Sequence, residues 1–116
     1  MTILGLRTII YPTSDLLASK SWWSNLLGYP PYYDEPSYVG FDIGGFELGL
    51  DPKGNLENGA VTYLGVLNIY ESVARALEEG AELEVPIMEV GGGIFLATLL
   101  SPQGERFGFI LNPNFQ

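Results

Sequence analysis

In 116 residues the chain has no cysteine and no histidine. The first absence excludes disulfides, iron–sulfur clusters, thiolate zinc sites and a cysteine nucleophile. The second removes the commonest general base and the commonest transition-metal ligand. Basic residues are scarce: five Lys and Arg stand against fourteen Asp and Glu, a formal net charge of −9. That balance disfavours nucleic acid and anionic membrane as partners, favours a cationic one, and helps a small protein stay in solution. No apolar run reaches the roughly 18 residues that a membrane span needs. The opening MTILGLRTII lacks the basic region, long apolar run and small-residue cleavage site of a signal peptide. The expectation is a cytoplasmic protein with no nucleic-acid and no membrane partner.

What is present is alternating strand and helix pattern over one expected domain, residues 1–116. Leu4 to Tyr11 is β-branched and apolar and Pro12 closes it as a strand. A helix follows: Thr13 or Ser14 can cap it, Asp15 suits its first turn, Leu16, Trp23, Leu26 and Leu27 recur at helical spacing, and Gly28 stops it. Beyond Pro30 and Pro31, Tyr32-Tyr33, Tyr38–Ile43 and Phe46–Asp51 read as strands, the last two joined by Gly44-Gly45. The loop PKGNLENG, 52–59, is rich in turn residues and separates two modules, 1–53 and 60–116, with the joint at 54–59. The second module restarts the pattern. Val61–Leu67 is a strand, Asn68 and Glu71 form a capping box, Ile69–Glu79 is a helix with Val73 and Leu77 on one face, and Gly80 ends it. Leu83–Met88, Ile94–Leu100 and Glu105–Leu111 follow as strands, with Ser101-Pro102-Gln103-Gly104 as a turn.

The repeat is visible in letters too. FELGLDP, 46–52, recurs as FGFILNP, 107–113. A duplicated unit that cannot bury its own sheet face predicts two modules that need each other for stability. If Gly44-Gly45 is a two-residue turn, the flanking strands pair Ile43 with Phe46, Asp42 with Glu47, Phe41 with Leu48, Gly40 with Gly49 and Val39 with Leu50. One face is then apolar: Ile43, Phe46, Phe41, Leu48, Val39 and Leu50. The other carries Tyr38, Gly40, Asp42, Glu47, Gly49 and Asp51.

Two segments carry a family resemblance. TSDLLASKSWWSNLLGY, 13–29, resembles a helix with an aromatic pair before Leu-Gly, and SPQGERFGFI, 101–110, resembles an Asp-Pro-x-Gly turn leading into a final strand. With the βαβββ duplication they make the chain resemble the vicinal oxygen chelate superfamily, which contains glyoxalase I, the bleomycin-resistance proteins and the extradiol dioxygenases. The resemblance implies an α+β fold, two tandem βαβββ modules forming a cupped mixed sheet with helices on the outer face, and a homodimer. In metal-dependent members the ligands come from the first and fourth strands of each module. Counting back from the helix ends carries those positions onto Thr8, Glu47, Val61 and Gly108. Only Glu47 is a metal-ligand residue, and one carboxylate does not hold a divalent transition ion against water, so no metal and no cofactor is expected.

In that fold the face opposite the helices lines a ligand cavity. Strand parity places Thr8, Ile10, Tyr38, Glu47, Gly49, Val61, Tyr63, Arg106, Gly108 and Ile110 there, with Gly40, Gly49 and Gly108 enlarging it. Of these, Thr8, Tyr38, Glu47, Gly49, Tyr63, Arg106 and Gly108 are the candidate ligand-binding residues. Glu47 has two readings: it meets a ligand, or acts as a general base if its surroundings are apolar, or else it is held in a salt bridge by Arg106. Asp42 and Asp51 read as solvated edge residues, one of Trp22 and Trp23 as core, and Tyr32, Tyr33 and Tyr38 as stacking groups for a planar ligand. Gly91-Gly92-Gly93 lacks the Lys, the Ser or Thr and the helix of a phosphate loop, and reads as a hairpin. The functions to weigh are a metal-independent small-molecule-binding protein taking a cationic or aromatic ligand, and a metal-independent lyase or isomerase using Glu47 as general base.

Overall fold

Each half of the chain runs strand, helix and three strands. The computed structural model describes residues 3–114, and its elements are β1 (Ile3–Pro12), α1 (Leu16–Leu27), β2 (Tyr33–Glu35), β3 (Tyr38–Ile43), β4 (Phe46–Asp51), β5 (Val61–Val66), α2 (Ile69–Glu78), β6 (Glu82–Glu89), β7 (Phe95–Leu100) and β8 (Arg106–Leu111). One compact unit is Thr8–Val61; the other is residues 62–114 together with residues 3–7. In the first, β1 pairs β4 in parallel, β4 pairs β3 antiparallel, and β3 pairs β2 antiparallel. In the second, β5 pairs β8 in parallel, β8 pairs β7 antiparallel, and β7 pairs β6 antiparallel. Each set of four strands is mixed, and the fold is α+β with two βαβββ modules.

The β3–β4 hairpin has the register that a two-residue turn dictates, from Ile43 opposite Phe46 to Val39 opposite Leu50. Gly44 and Gly45 have φ of 59° and 91°, the doubly positive geometry of a primed turn that matches strand twist. Strand alternation then buries Val39, Phe41, Leu48 and Leu50, with Ile9, Ile43 and the α1 residues Leu16, Trp23 and Leu27 packed on them. Phe46 was expected on this face, but at the hairpin tip it remains 51% exposed.

The cap of α1 differs from expectation. Asp15 is the N-cap, its carboxylate accepting from the Ala18 N–H at 3.0 Å. The Thr13 hydroxyl takes an outer place, accepting from the Asp15 N–H at 3.2 Å and lying 2.6 Å from the Ser19 hydroxyl. A carboxylate answers both the orphan N–H groups and the helix dipole, which a hydroxyl does less well. Gly28 ends the helix in the left-handed region, φ 86°. Of the tryptophan pair, Trp23 packs on the core and stacks on Tyr11 at 5.9 Å, while Trp22 is 58% exposed and meets Trp23 edge-on at 5.0 Å.

In the other unit Asn68 caps α2 by accepting from the Glu71 N–H at 3.1 Å. Ile69, Ser72 and Val73 are buried on this helix, and Ile69 and Val73 join Val66, Ala97, Leu99 and Phe109 in the second core. Leu77, expected beside Val73, is largely exposed, and Ala76 takes the inner place. Residues 91–93 turn between β6 and β7, closed by the Val90 N–H to the Ile94 carbonyl and by the Glu89 carboxylate accepting from the Gly93 N–H. Among the described residues no helix is long and apolar enough to cross a membrane.

Candidate functional site

Glu47 sits on β4 between two neighbours set by register: Asp42 across β3 and Thr8 across β1. Like charges directly opposite each other destabilise a sheet unless each is answered elsewhere. Asp42 is answered at the turn, where its carboxylate accepts from the Gly45 N–H at 2.8 Å. Glu47 is answered by two hydroxyls. Thr8 donates to its Oε1 at 3.3 Å, and Tyr32 donates to its Oε2 at 2.5 Å. The second distance is that of a charge-assisted O–H···O⁻ bond.

Strand β2 begins at Tyr33, one residue later than expected, so Tyr32 belongs to the segment after Pro30-Pro31. Its N–H bonds the Gly40 carbonyl at 3.0 Å. Gly40 makes the close approach possible: a Cβ there would lie 2.8 Å from Glu47 Oε2 and 3.4 Å from the Tyr32 ring. The Tyr32 hydroxyl is pushed above its ordinary 10.0, first by partial removal from water, then by its bond to Glu47 and by the charges of Glu47 and Asp42.

The glycines do not enlarge this face. A Cβ on Gly49 would fall on the Tyr38 hydroxyl and ring, and one on Gly108 would fall 2.5 Å from the Tyr63 ring. Each glycine is the seat of a tyrosine, because an aromatic ring gains more from filling the gap than an empty gap would. Tyr63 is 6% exposed, and Tyr38 lies 6.1 Å from the Tyr33 ring.

The register also corrects one position. Thr8 pairs with Glu47, and Gly108, the counterpart of Glu47, pairs with Tyr63. Tyr63 therefore corresponds to Thr8, and Val61 does not. Counting back from the helix ends fails because α1 has 12 residues and α2 has 10.

Arg106 does not hold Glu47. Its Nε and Nη2 donate to Glu84 at 2.8 Å and 2.6 Å, and the Thr98 hydroxyl lies 3.4 Å from Glu84 Oε1. These bonds, led by the one from Arg106, hold the Glu84 carboxyl below its ordinary range. Asp51 accepts from the Lys53 N–H at 2.9 Å and shapes the loop after β4.

Residues expected to bind therefore fall into separate groups: Thr8 with Glu47, Tyr38 with Gly49, Tyr63 with Gly108, and Arg106 with Glu84. Two pairings were not foreseen: Tyr32, expected as a stacking ring, bonds Glu47 through its hydroxyl, and Glu84 takes Arg106. The first had a signal in the sequence, since two acids placed opposite each other by a Gly-Gly turn require nearby donors. A metal ion does not fit these residues. Glu47 is a lone carboxylate among hydroxyls, Tyr63 and Gly108 offer no metal-binding carboxylate or imidazole, and among the described residues no three His, Cys, Asp or Glu gather to hold an ion.

No protein-family model matches the chain and no curated protein does. Solved structures do. A glyoxalase/bleomycin resistance protein/dioxygenase superfamily member from Vibrio splendidus 12B01 is 19% identical, with 91% of this chain and 97% of that one covered and a TM-score of 0.71. A variant methylmalonyl-CoA epimerase of Streptomyces coelicolor, in complex with 2-nitronate-propionyl-CoA, is 15% identical over 99% of both chains with a TM-score of 0.75. An NAD-dependent benzaldehyde dehydrogenase from Legionella pneumophila is 17% identical, with 90% and 96% covered and a TM-score of 0.72. Strand order, duplication and these likenesses agree: the chain has the vicinal oxygen chelate fold.

Proposed function

We propose that this chain is a metal-independent small-molecule-binding protein of the cytoplasm, working as a homodimer, whose ligand is cationic or aromatic and meets Glu47. The observation that carries the reading is a carboxylate held by two hydroxyls beneath a tyrosine that is 57% exposed. A carboxylate oriented in this way, with lone pairs left over, suits a donor or a cation. Tyr33, also largely exposed, supplies an aromatic surface next to it. The net charge of −9 draws cations toward the protein as a whole.

The test is a thermal-shift series with benzylammonium and, as its neutral counterpart, toluene. A ligand at one hundred times its Kd stabilises the folded state by about 2.7 kcal/mol. The expected result is a rise in Tm with benzylammonium, a much smaller one with toluene, loss of the difference in Glu47→Gln, and no response to a chelator. An equal rise in wild type and Glu47→Gln, or one metal ion per chain after purification, overturns the reading.

A second reading, a metal-independent lyase or isomerase with Glu47 as base, is supported by the likeness to an epimerase. It requires a lone pair of Glu47 to face a substrate carbon although each oxygen already accepts a hydroxyl. Incorporation of solvent deuterium into methylmalonyl-CoA by wild type, abolished in Glu47→Gln, would replace the binding reading with this one.

A further inference from the structure

The two oxygens of Glu47 are held unequally. Oε1 takes its hydrogen bond from Thr8, a residue 4% exposed in the middle of a strand. Oε2 takes its bond from Tyr32, a residue 57% exposed that lies outside any helix or strand. Thr8 is packed on all sides and stays where it is, whereas Tyr32 as a whole residue is more than half exposed, so its ring has room to turn away from Glu47. The Tyr32 backbone is fixed by the bond from its N–H to Gly40 and follows two prolines. The motion left to it is a turn of the side chain about its own rotamers. Gly40 gives the ring and the carboxylate oxygen a common floor with no side chain in the way.

We infer that Tyr32 is the specificity-determining residue of this site: its hydroxyl occupies the seat at Glu47 Oε2 that the ligand's own donor must take. The inference rests on the ligand-binding reading of Glu47. The ligand class follows from the exchange. To displace a phenol from a carboxylate the incoming group must be the stronger partner, which an ammonium, amidinium or guanidinium is and a neutral alcohol or a hydrogen-bond acceptor is not. Removing the phenolic oxygen then strengthens binding, the reverse of what deleting an ordinary contact does. If the seat is filled by Tyr32 nine-tenths of the time, freeing it tightens the apparent affinity about tenfold.

The experiment has one arm without a ligand and one with. Glu47 is labelled with a water-soluble carbodiimide and glycinamide, and the rate is followed by peptide mass spectrometry, with exposed Glu78 on α2 as the internal reference. Tyr32→Phe is expected to be labelled at Glu47 about tenfold faster than wild type. Gly40→Ala, whose Cβ would press on both Oε2 and the Tyr32 ring, is expected to act in the same direction and carries the test should Tyr32→Phe not fold. In the second arm, benzylammonium binds Tyr32→Phe more tightly than wild type. Equal labelling of Glu47 in wild type and variants overturns the inference, as does weaker binding of benzylammonium by Tyr32→Phe. Faster labelling with no benzylammonium binding by either form supports the hold of Tyr32 on Oε2 and counts against the ligand reading instead.

Discussion

Where β1 meets β4, Thr8 faces Glu47 and the space is polar; at the corresponding step where β5 meets β8, Tyr63 lies on Gly108 and the space is a ring. The helices differ in the same two units. α2 buries Ile69, Ser72 and Val73, whereas α1 has no fully buried residue and leaves Leu17, Trp22 and Leu26 largely exposed. One duplicated scaffold has thus been filled in two ways. In residues 62–114 the space over Gly108 is filled by the Tyr63 ring and the polar groups Arg106, Glu84 and Thr98 answer one another, while in Thr8–Val61 the hydroxyls on Glu47 remain beside partly open aromatic rings. Backbone register is common to both, and chemistry is decided by which side chains stand at the shared positions.

The difference can be tested by substitution, beginning with the helices. Ile69→Ala is expected to cost about 2–5 kcal/mol, because a fully buried side chain leaves a cavity. Leu17→Ala on α1 should stay within about 0.5 kcal/mol, as exposed sites do. Urea unfolding of both variants measures this, and equal losses would erase the contrast between the helices. Next come the seated tyrosines. Gly108→Ala places a Cβ against the buried Tyr63 ring and 2.7 Å from the Ala97 carbonyl oxygen, neither of which can yield, and overpacking of that kind costs about 1–3 kcal/mol. The three atoms nearest a Cβ at Gly49 all belong to the Tyr38 ring and hydroxyl, so Gly49→Ala should cost less if that side chain swings aside. A greater loss at Gly49 would show the first unit to be the tighter one.

Acid should act on the second unit. Arg106 holds the Glu84 carboxyl below its ordinary 4.5, so the ionised form is favoured in the folded chain. That stabilisation is whole above 4.5 and is lost as pH falls through the lower, folded-state value. Thermal melts of wild type and Glu84→Gln should therefore differ at neutral pH and converge on acidification. The smallest effect belongs to base and the first unit. Tyr32 is raised above 10.0, so its contribution is present below that pH and is lost as pH rises toward the higher folded value. Tyrosinate absorbance should show Tyr32 ionising late in wild type and earlier in Glu47→Gln, though not fully restored, since burial is the larger cause.

Much of this arrangement was legible in the sequence. Gly44-Gly45 defined the hairpin register residue by residue, and FELGLDP with FGFILNP revealed the duplication. Local chemistry was enough there, because a two-residue turn allows one pairing. The misreadings share a cause. Counting back from the helix ends reaches Val61 only if the helices are equally long, and Arg106 stands as one of two partners for Glu47 because Glu84, on an irregular strand with register shifts at Leu83/Val85 and Val85/Met88, has no clean parity. The glycines were read as empty space, since strand alternation says which side a residue faces but not which neighbour leans over it. Tyr32 reads as a stacking ring, but its bond to Glu47 has no parity signal because the residue lies just before β2 and outside any strand.

The tryptophan pair gives the molecule an optical asymmetry. Both tryptophans in the chain stand side by side on α1, one stacked on Tyr11 and the two edge-on to each other, while residues 62–114 contain none. Intrinsic fluorescence and near-ultraviolet dichroism at the indole bands report on Thr8–Val61, whereas far-ultraviolet dichroism averages over the whole chain. Superimposable transitions by the two kinds of light would mark a single cooperative unit, and an earlier indole transition would mark the half with the looser helix as the first to melt.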